Sequence, residues 1–179
     1  MFLFSLLSRL FFGPRVTESP SVFNSVEPED FETIGWEVKR TLQKLYGGRA
    51  LKIRAVDAGS TNAEEIELTA LNNAYYDVER FGLSFVASPK HADILFVTGP
   101  VTRNLEYALR ATYDAMPQPA LVVAIGDGAC TGGIWNGSYA VVGAVENVIP
   151  VDYKIPGDPP SPTQILQGVL HLLHSASQL

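Results

Sequence analysis

The chain has 179 residues, with 19 Asp+Glu against 13 Lys+Arg, a formal net charge of −6 and 46% hydrophobic residues. That length suits one domain with or without a short arm, and charged residues at 18% are too few for intrinsic disorder. The acidic balance gives no general electrostatic case for nucleic-acid binding. The one cysteine, Cys130, excludes an internal disulfide, a CxxC redox pair and an all-thiolate zinc or iron–sulfur site built from this chain alone.

Met1 to Phe12 is apolar apart from Ser5, Ser8 and Arg9, with Phe2, Leu3, Leu6, Leu7 and Leu10 at helical spacing. At about 1.5 Å per residue such a helix reaches roughly 18 Å, short of a hydrocarbon core of about 30 Å. No basic stretch precedes the run and no small-residue cleavage site follows it, so a secretory signal fits poorly. An arm that lies on a membrane or docks on a partner fits better; packing on its own domain is the plain alternative. Gly13 to Pro28 reads as an extended linker, so residues 1–28 form an arm and linker and 29–179 a single α/β domain.

Asp30 to Tyr46 has helical periodicity, with Phe31, Ile34, Val38, Leu42 and Leu45 on one face, an acidic start and Gly47-Gly48 as its stop. From Leu51 the pattern alternates. A strand at Leu51–Val56 runs into the loop Asp57–Asn62, and a helix spans about Ala63–Tyr75. A short strand follows at Leu83–Ala87. Asp93–Gly99 and Ala120–Gly126 are nearly continuous apolar runs ending in glycine, as central parallel strands buried on both faces require. Between them lies a helix at Asn104–Ala115, stopped by Met116-Pro117-Gln118-Pro119. A glycine-rich loop, Gly126–Gly137, precedes a last short strand at Val148–Asp152. The loop Ile155–Pro162 then leads into a helix at Thr163–Ala176. This alternation predicts an α/β fold with an open, mostly parallel sheet of about four strands and helices on both faces.

In such a sheet, ligands bind beyond the carboxyl ends of the strands. Four loops fall there: Asp57–Glu64, Thr98–Arg103, Gly126–Gly133 and Pro156–Pro160. The segment Asp57-Ala58-Gly59-Ser60-Thr61-Asn62-Ala63-Glu64-Glu65-Ile66-Glu67 resembles the "GxCNGCEIE" start of the small subunit of membrane-bound [NiFe] hydrogenases and formate hydrogenlyases, and of the 20 kDa subunit of respiratory complex I. The likeness continues through Glu79-Arg80-Phe81-Gly82, His91-Ala92-Asp93-Ile94-Leu95, Thr98-Gly99-Pro100-Val101-Thr102-Arg103 and Gly132-Gly133-Ile134-Trp135. It closes on Ile149-Pro150-Val151-Asp152 and Pro156-Gly157-Asp158-Pro159-Pro160, and covers roughly Leu51 to Leu173.

The resemblance implies a flavodoxin-like domain and a [4Fe–4S] cluster on four cysteines, but the positions matching those cysteines are Thr61, Glu64, Gly128 and Asp158. Cys130 lies two residues past the third of them, and one thiolate cannot hold a cubane. The expectation is therefore no cofactor, with an unusually held 4Fe–4S cluster as the alternative. A divalent cation on Glu64, Asp158, Asp127 and Cys130 is disfavoured, because Gly128 has no side chain and Thr61 is a weak ligand. Instead, polar side chains would fill the pocket and bond to the loops, with Arg103 as counter-charge to a buried carboxylate.

The resemblance further implies a large subunit and ion-translocating membrane subunits as partners, at the cytoplasmic face of the membrane. The contact would run through Phe2, Leu3, Leu6, Leu7 and Leu10 of the arm and through Thr102 and Arg103. In this reading the chain couples its partners without catalysis or electron transfer of its own. A working electron-transfer subunit and a stand-alone binding module are the rivals.

Other features carry less. His171 and His174 sit i, i+3 on the last helix without a nearby acidic or thiol partner in sequence, which favours a surface role over a metal site. Gly126-Asp127-Gly128 lacks the rest of a phosphate-binding motif. Ser60, Ser138 and His91 read as loop and capping residues, and Trp36 and Trp135 as core or interface anchors.

Overall fold

The computed structural model describes residues 30–176. The apolar arm, with Phe2, Leu3, Leu6, Leu7 and Leu10, lies outside the described residues.

Helix α1 is Phe31–Tyr46, capped by the Asp30 side chain, which accepts from the Glu32 N–H at 3.3 Å, and closed by Gly47 in the left-handed conformation. Strand β1 is Leu51–Asp57 and helix α2 is Ala63–Ala70. Strands β2 (Leu83–Phe85), β3 (Ile94–Thr98) and β4 (Val101–Thr102) precede helix α3 (Glu106–Asp114). Then come β5 (Leu121–Ile125), the short helix α4 (Gly126–Thr131), β6 (Val141–Gly143), β7 (Tyr153–Ile155) and helix α5 (Pro162–Ala176).

The main sheet is parallel throughout, in the order β2-β1-β3-β5-β7. It has five strands rather than about four, and a small antiparallel ribbon of β4 and β6 stands beside it. Alternate residues of the central strands feed two cores. Ile94, Phe96, Val123 and Ile125 pack with Val38 and Leu42 of α1, Leu68 of α2 and Ile165, Leu166 and Val169 of α5. Leu95, Val97, Val122 and Ala124 pack with Leu109 of α3 and Ala129 and Cys130 of α4. Helices therefore cover both faces, as buried parallel strands require.

Three boundaries differ from the sequence expectation. The helix expected to reach Tyr75 ends at Ala70, because the Asn73 side chain accepts from the N–H groups of Tyr75 and Tyr76 at 2.8 and 2.9 Å and draws the chain into a turn. The loop expected over Gly126–Gly137 contains α4 and a 3₁₀ turn at Gly133–Trp135. The strand expected at Val148–Asp152 forms only at Tyr153–Ile155. Val148 and Ile149 are spent as buried side chains of the second core, and pairing with β5 begins at Tyr153 opposite Val123.

Candidate functional site

Chain order and sheet order diverge between β1 and β3, since the chain leaves β1 for β2 on one side and returns to β3 on the other. Such a switch point opens a crevice at the carboxyl ends of the strands. After β1, Asp57 Oδ1 accepts from the N–H groups of Gly59 and Ser60, each at 2.7 Å, and so shapes the turn into α2. The hydroxyls of Ser60 and Thr98 both donate to the Glu65 carboxylate, tying the β1 loop and α2 to the end of β3. After β5, the Asp127 N–H donates to the Gly157 carbonyl and Asp127 Oδ1 accepts from the Gly157 N–H, each at 2.8 Å. This two-bond clamp holds the loop carrying Asp158 against the start of α4.

The loops surround a cavity of about 420 Å³. Thr61, Glu64, Gly128 and Asp158, scattered over almost a hundred positions of sequence, all line it, together with Pro100, Asp127 and Thr131. Ile134, 87% exposed, and Trp135, 48% exposed, stand on its wall.

Glu64 is the unusual member. It is 3% exposed, and its Oε2 has no hydrogen-bond partner among the described residues. Desolvation by burial pushes its carboxyl above the ordinary carboxylate range. The charges of Glu65, Asp158 and Asp57 push the same way, while its own backbone N–H acts in opposition. Gly126 leaves the space it occupies: a Cβ there would stand 2.5 Å from Glu64 Oε1. Polar side chains thus do not fill this pocket, and one buried carboxylate oxygen in its wall is left over.

Arg103 does not supply the counter-charge expected of it. Its Nε donates to the Tyr139 carbonyl at 2.7 Å, the side chain is exposed, and it is absent from the cavity wall. Thr102, also expected at a docking surface, is half-buried and donates its hydroxyl to the Ala58 carbonyl at 3.2 Å.

A [4Fe–4S] cluster does not fit this donor set. The four positions offer a hydroxyl, two carboxylates and a bare backbone where thiolates are needed. The third position is also closed to any side chain, since a Cβ on Gly128 would lie 2.7 Å from Pro100 Cδ and 3.0 Å from Pro100 N. Among the described residues, no group of three or more His, Cys, Asp or Glu could hold a metal ion.

Cys130 faces away from the cavity, its thiol 3.6 Å from the carbonyls of Ala124 and Ile155. Burial pushes its pKa up to about 11 from 9.0. Thiolate is the reactive form, so iodoacetamide should label Cys130 about two orders of magnitude more slowly in the folded chain than in urea at neutral pH. Labelling at equal rates, followed by intact mass, would place the thiol in the open.

Sequence reasoning missed Glu65 and the Asp127–Gly157 clamp as organising contacts. Thr98, which bonds to Glu65, and Gly157, which bonds to Asp127, lie some thirty residues from their partners in sequence, and no local pattern announces them.

A doubly wound parallel domain with a loop-built pocket at its switch point defines a broad class, and the comparisons narrow it. Residues 62–172 match the family model described as the NADH ubiquinone oxidoreductase 20 kDa subunit. An uncharacterized protein of Methanocaldococcus jannaschii is 39% identical over 135 residues, 75% of this chain and 90% of its own length. The probable membrane-bound hydrogenase subunit mbhJ of Pyrococcus furiosus is 39% identical over 132 residues, 74% of this chain and 79% of its own. Among solved structures, a chain of the membrane-bound sulfane sulfur reductase, an archaeal respiratory membrane complex, superposes with a TM-score of 0.66 at 31% identity. The overlap is 77% of this chain and 76% of that one. A chain of an NAD⁺-reducing [NiFe]-hydrogenase, at TM-score 0.55 and 18% identity over 71% and 93% of the two chains, shares the fold. The chain belongs to the family of the 20 kDa subunit of NADH ubiquinone oxidoreductase.

Proposed function

We propose that this chain is a cluster-free small subunit of a membrane-bound, complex I- or hydrogenase-related assembly. It would join a large subunit to ion-translocating membrane subunits at the cytoplasmic face without passing electrons itself. The observation that carries the reading is Gly128, where Pro100 occupies the space that a liganding side chain would need. The relatives support the assembly class: one is a probable membrane-bound hydrogenase subunit, and another comes from a respiratory membrane complex. Exposed Ile134, Trp135 and Tyr139 give the carboxyl end of the sheet an apolar surface suited to a partner. No helix among the described residues is long and apolar enough to cross a membrane, so membrane contact would run through partners and the arm.

The test is purification of the tagged chain from detergent-solubilised membranes, with iron and sulfide analysis of the chain after anaerobic reconstitution. Co-purification with a large subunit and antiporter-like membrane subunits is expected, with no stoichiometric iron in this chain. A [4Fe–4S] EPR signal assigned to it, or a monodisperse chain without membrane partners, would overturn the reading. Deleting residues 1–12 should release the chain from the membrane subunits; unchanged association would count against an anchoring arm.

A further inference from the structure

Among the described residues, the cavity wall carries Glu64, Asp127 and Asp158 and no lysine, arginine or histidine. Two of these carboxylates differ in how they are satisfied: Asp127 is engaged by the Gly157 N–H, whereas Glu64, 3% exposed, keeps Oε2 without a partner among the described residues. A buried carboxylate left in that state is costly unless a cation or donor reaches it. A bare metal ion is a poor candidate, because the acidic side chains do not converge on one point. A guanidinium or ammonium group on a long side chain meets the requirement differently. It brings several N–H donors over a wider span, which Glu64, Asp158 and the hydroxyls of Thr61 and Thr131 can share. The wall residues Ile134 and Trp135 are exposed apolar surface, suited to pack on the stem of such a side chain and on the protein carrying it. The volume, about 420 Å³, lies in the range of ordinary ligand pockets.

We propose that this cavity is the seat of a basic side chain, arginine or lysine, inserted by the protein that covers Ile134 and Trp135 in the assembled complex. The inference rests on the reading of the chain as a complex subunit. The acidic wall makes the contact selective as well as favourable, since an acidic or apolar side chain entering the same cavity would face Glu64 and Asp158 uncompensated.

Two measurements test it. In a Trp36→Phe background Trp135 is the remaining tryptophan of the chain, and its fluorescence reports on the cavity. Titrating the full chain with N-acetyl-argininamide should give a saturable change, weakened about tenfold or more by Glu64→Gln and also weakened by Asp158→Asn. Glu106→Gln, on α3 and paired with Arg110, should leave it unchanged. No saturation, equal response to N-acetyl-norleucinamide, or tighter saturation by Mg²⁺ or Na⁺ would overturn the proposal.

In the second measurement, the tagged chain is purified from membranes with its partners. Glu64→Gln should cut recovery of the large subunit about tenfold or more, while its thermal melt shows the variant folded. Equal recovery with wild type and variant would remove the basic-side-chain seat and leave the subunit reading standing. If wild type brings down no membrane partner, the subunit reading fails and the proposed insertion fails with it.

Discussion

Replacing Gly99 with alanine is expected to destabilise the chain by about 2–4 kcal/mol, combining backbone strain with overpacking. Gly99 ends β3 with φ +70, a conformation L side chains rarely adopt, and an added Cβ would lie 2.2 Å from Ser60 N and 2.4 Å from Ser60 Cα. Those atoms are backbone, so no rotamer change relieves the clash, and one of the two loops flanking the switch point must move. Moving either loop pulls on Glu65, whose carboxylate accepts from Ser60 on one loop and from Thr98 on the other strand. For a chain of this size, 1 kcal/mol corresponds to about 2–4 °C in Tm, so a fall of about 4–16 °C is expected by calorimetry. Glycine-to-alanine substitution at Gly47, where a Cβ meets nothing within 4 Å although φ is +63, should cost clearly less. Equal costs at the two positions would mean that strain alone operates and that the close approach of Gly99 to Ser60 contributes nothing.

The contrast between what was and was not legible in the sequence follows the range of the interactions. β3 and β5 are readable because a strand buried on both faces is apolar almost throughout, as Ile94–Val97 and Leu121–Ile125 are, with the polar Thr98 only at the crevice end of β3. The end of α1 is readable because Asp30 and Gly47 act on their own neighbours. The register of the last strand is not, since Val148 and Ile149 have the composition of a strand and are used as core plugs. Glycines at 126, 128, 132 and 133 make α4 look like a loop. Packing against β5 and β7, with the Cys130 thiol on the carbonyls of Ala124 and Ile155, overrides that propensity.

The site divides in the same way. Thr61, Glu64, Gly128 and Asp158 could be named together through the family resemblance, and the structure brings them to one cavity. That Arg103 turns to the Tyr139 carbonyl, and that Pro100 closes over Gly128, depend on how three loops meet in space.

Glu64→Gln should make the isolated chain more stable at neutral pH, with a gain that vanishes in acid. In the unfolded chain the Glu64 carboxyl titrates near its ordinary value of 4.5; in the folded chain burial, with help from the charges of Glu65, Asp158 and Asp57, raises it. Between those two values the folded chain binds more protons than the unfolded one, so stability falls as pH rises through this window. Well below pH 4.5 the carboxyl is neutral in both states and the penalty is absent; well above the folded value it is fully present. Glutamine has the same shape and no charge at any pH, so it removes the penalty where the penalty exists. The gain at pH 7 should be roughly 1 kcal/mol, the scale on which a buried group lacking a partner destabilises a fold, read as a Tm rise of a few degrees. Melts of wild type and variant from pH 4 to 8 should therefore converge at the acid end and separate above it. A constant offset would assign the difference to packing around Gly126 rather than to charge. A less stable variant at pH 7 would mean that ionised Glu64 finds a partner in the free chain. The expected signs oppose one another across the two states of the protein: the substitution that relaxes the isolated chain should weaken its complex, because the charge that is unfavourable alone is the one a basic side chain would neutralise.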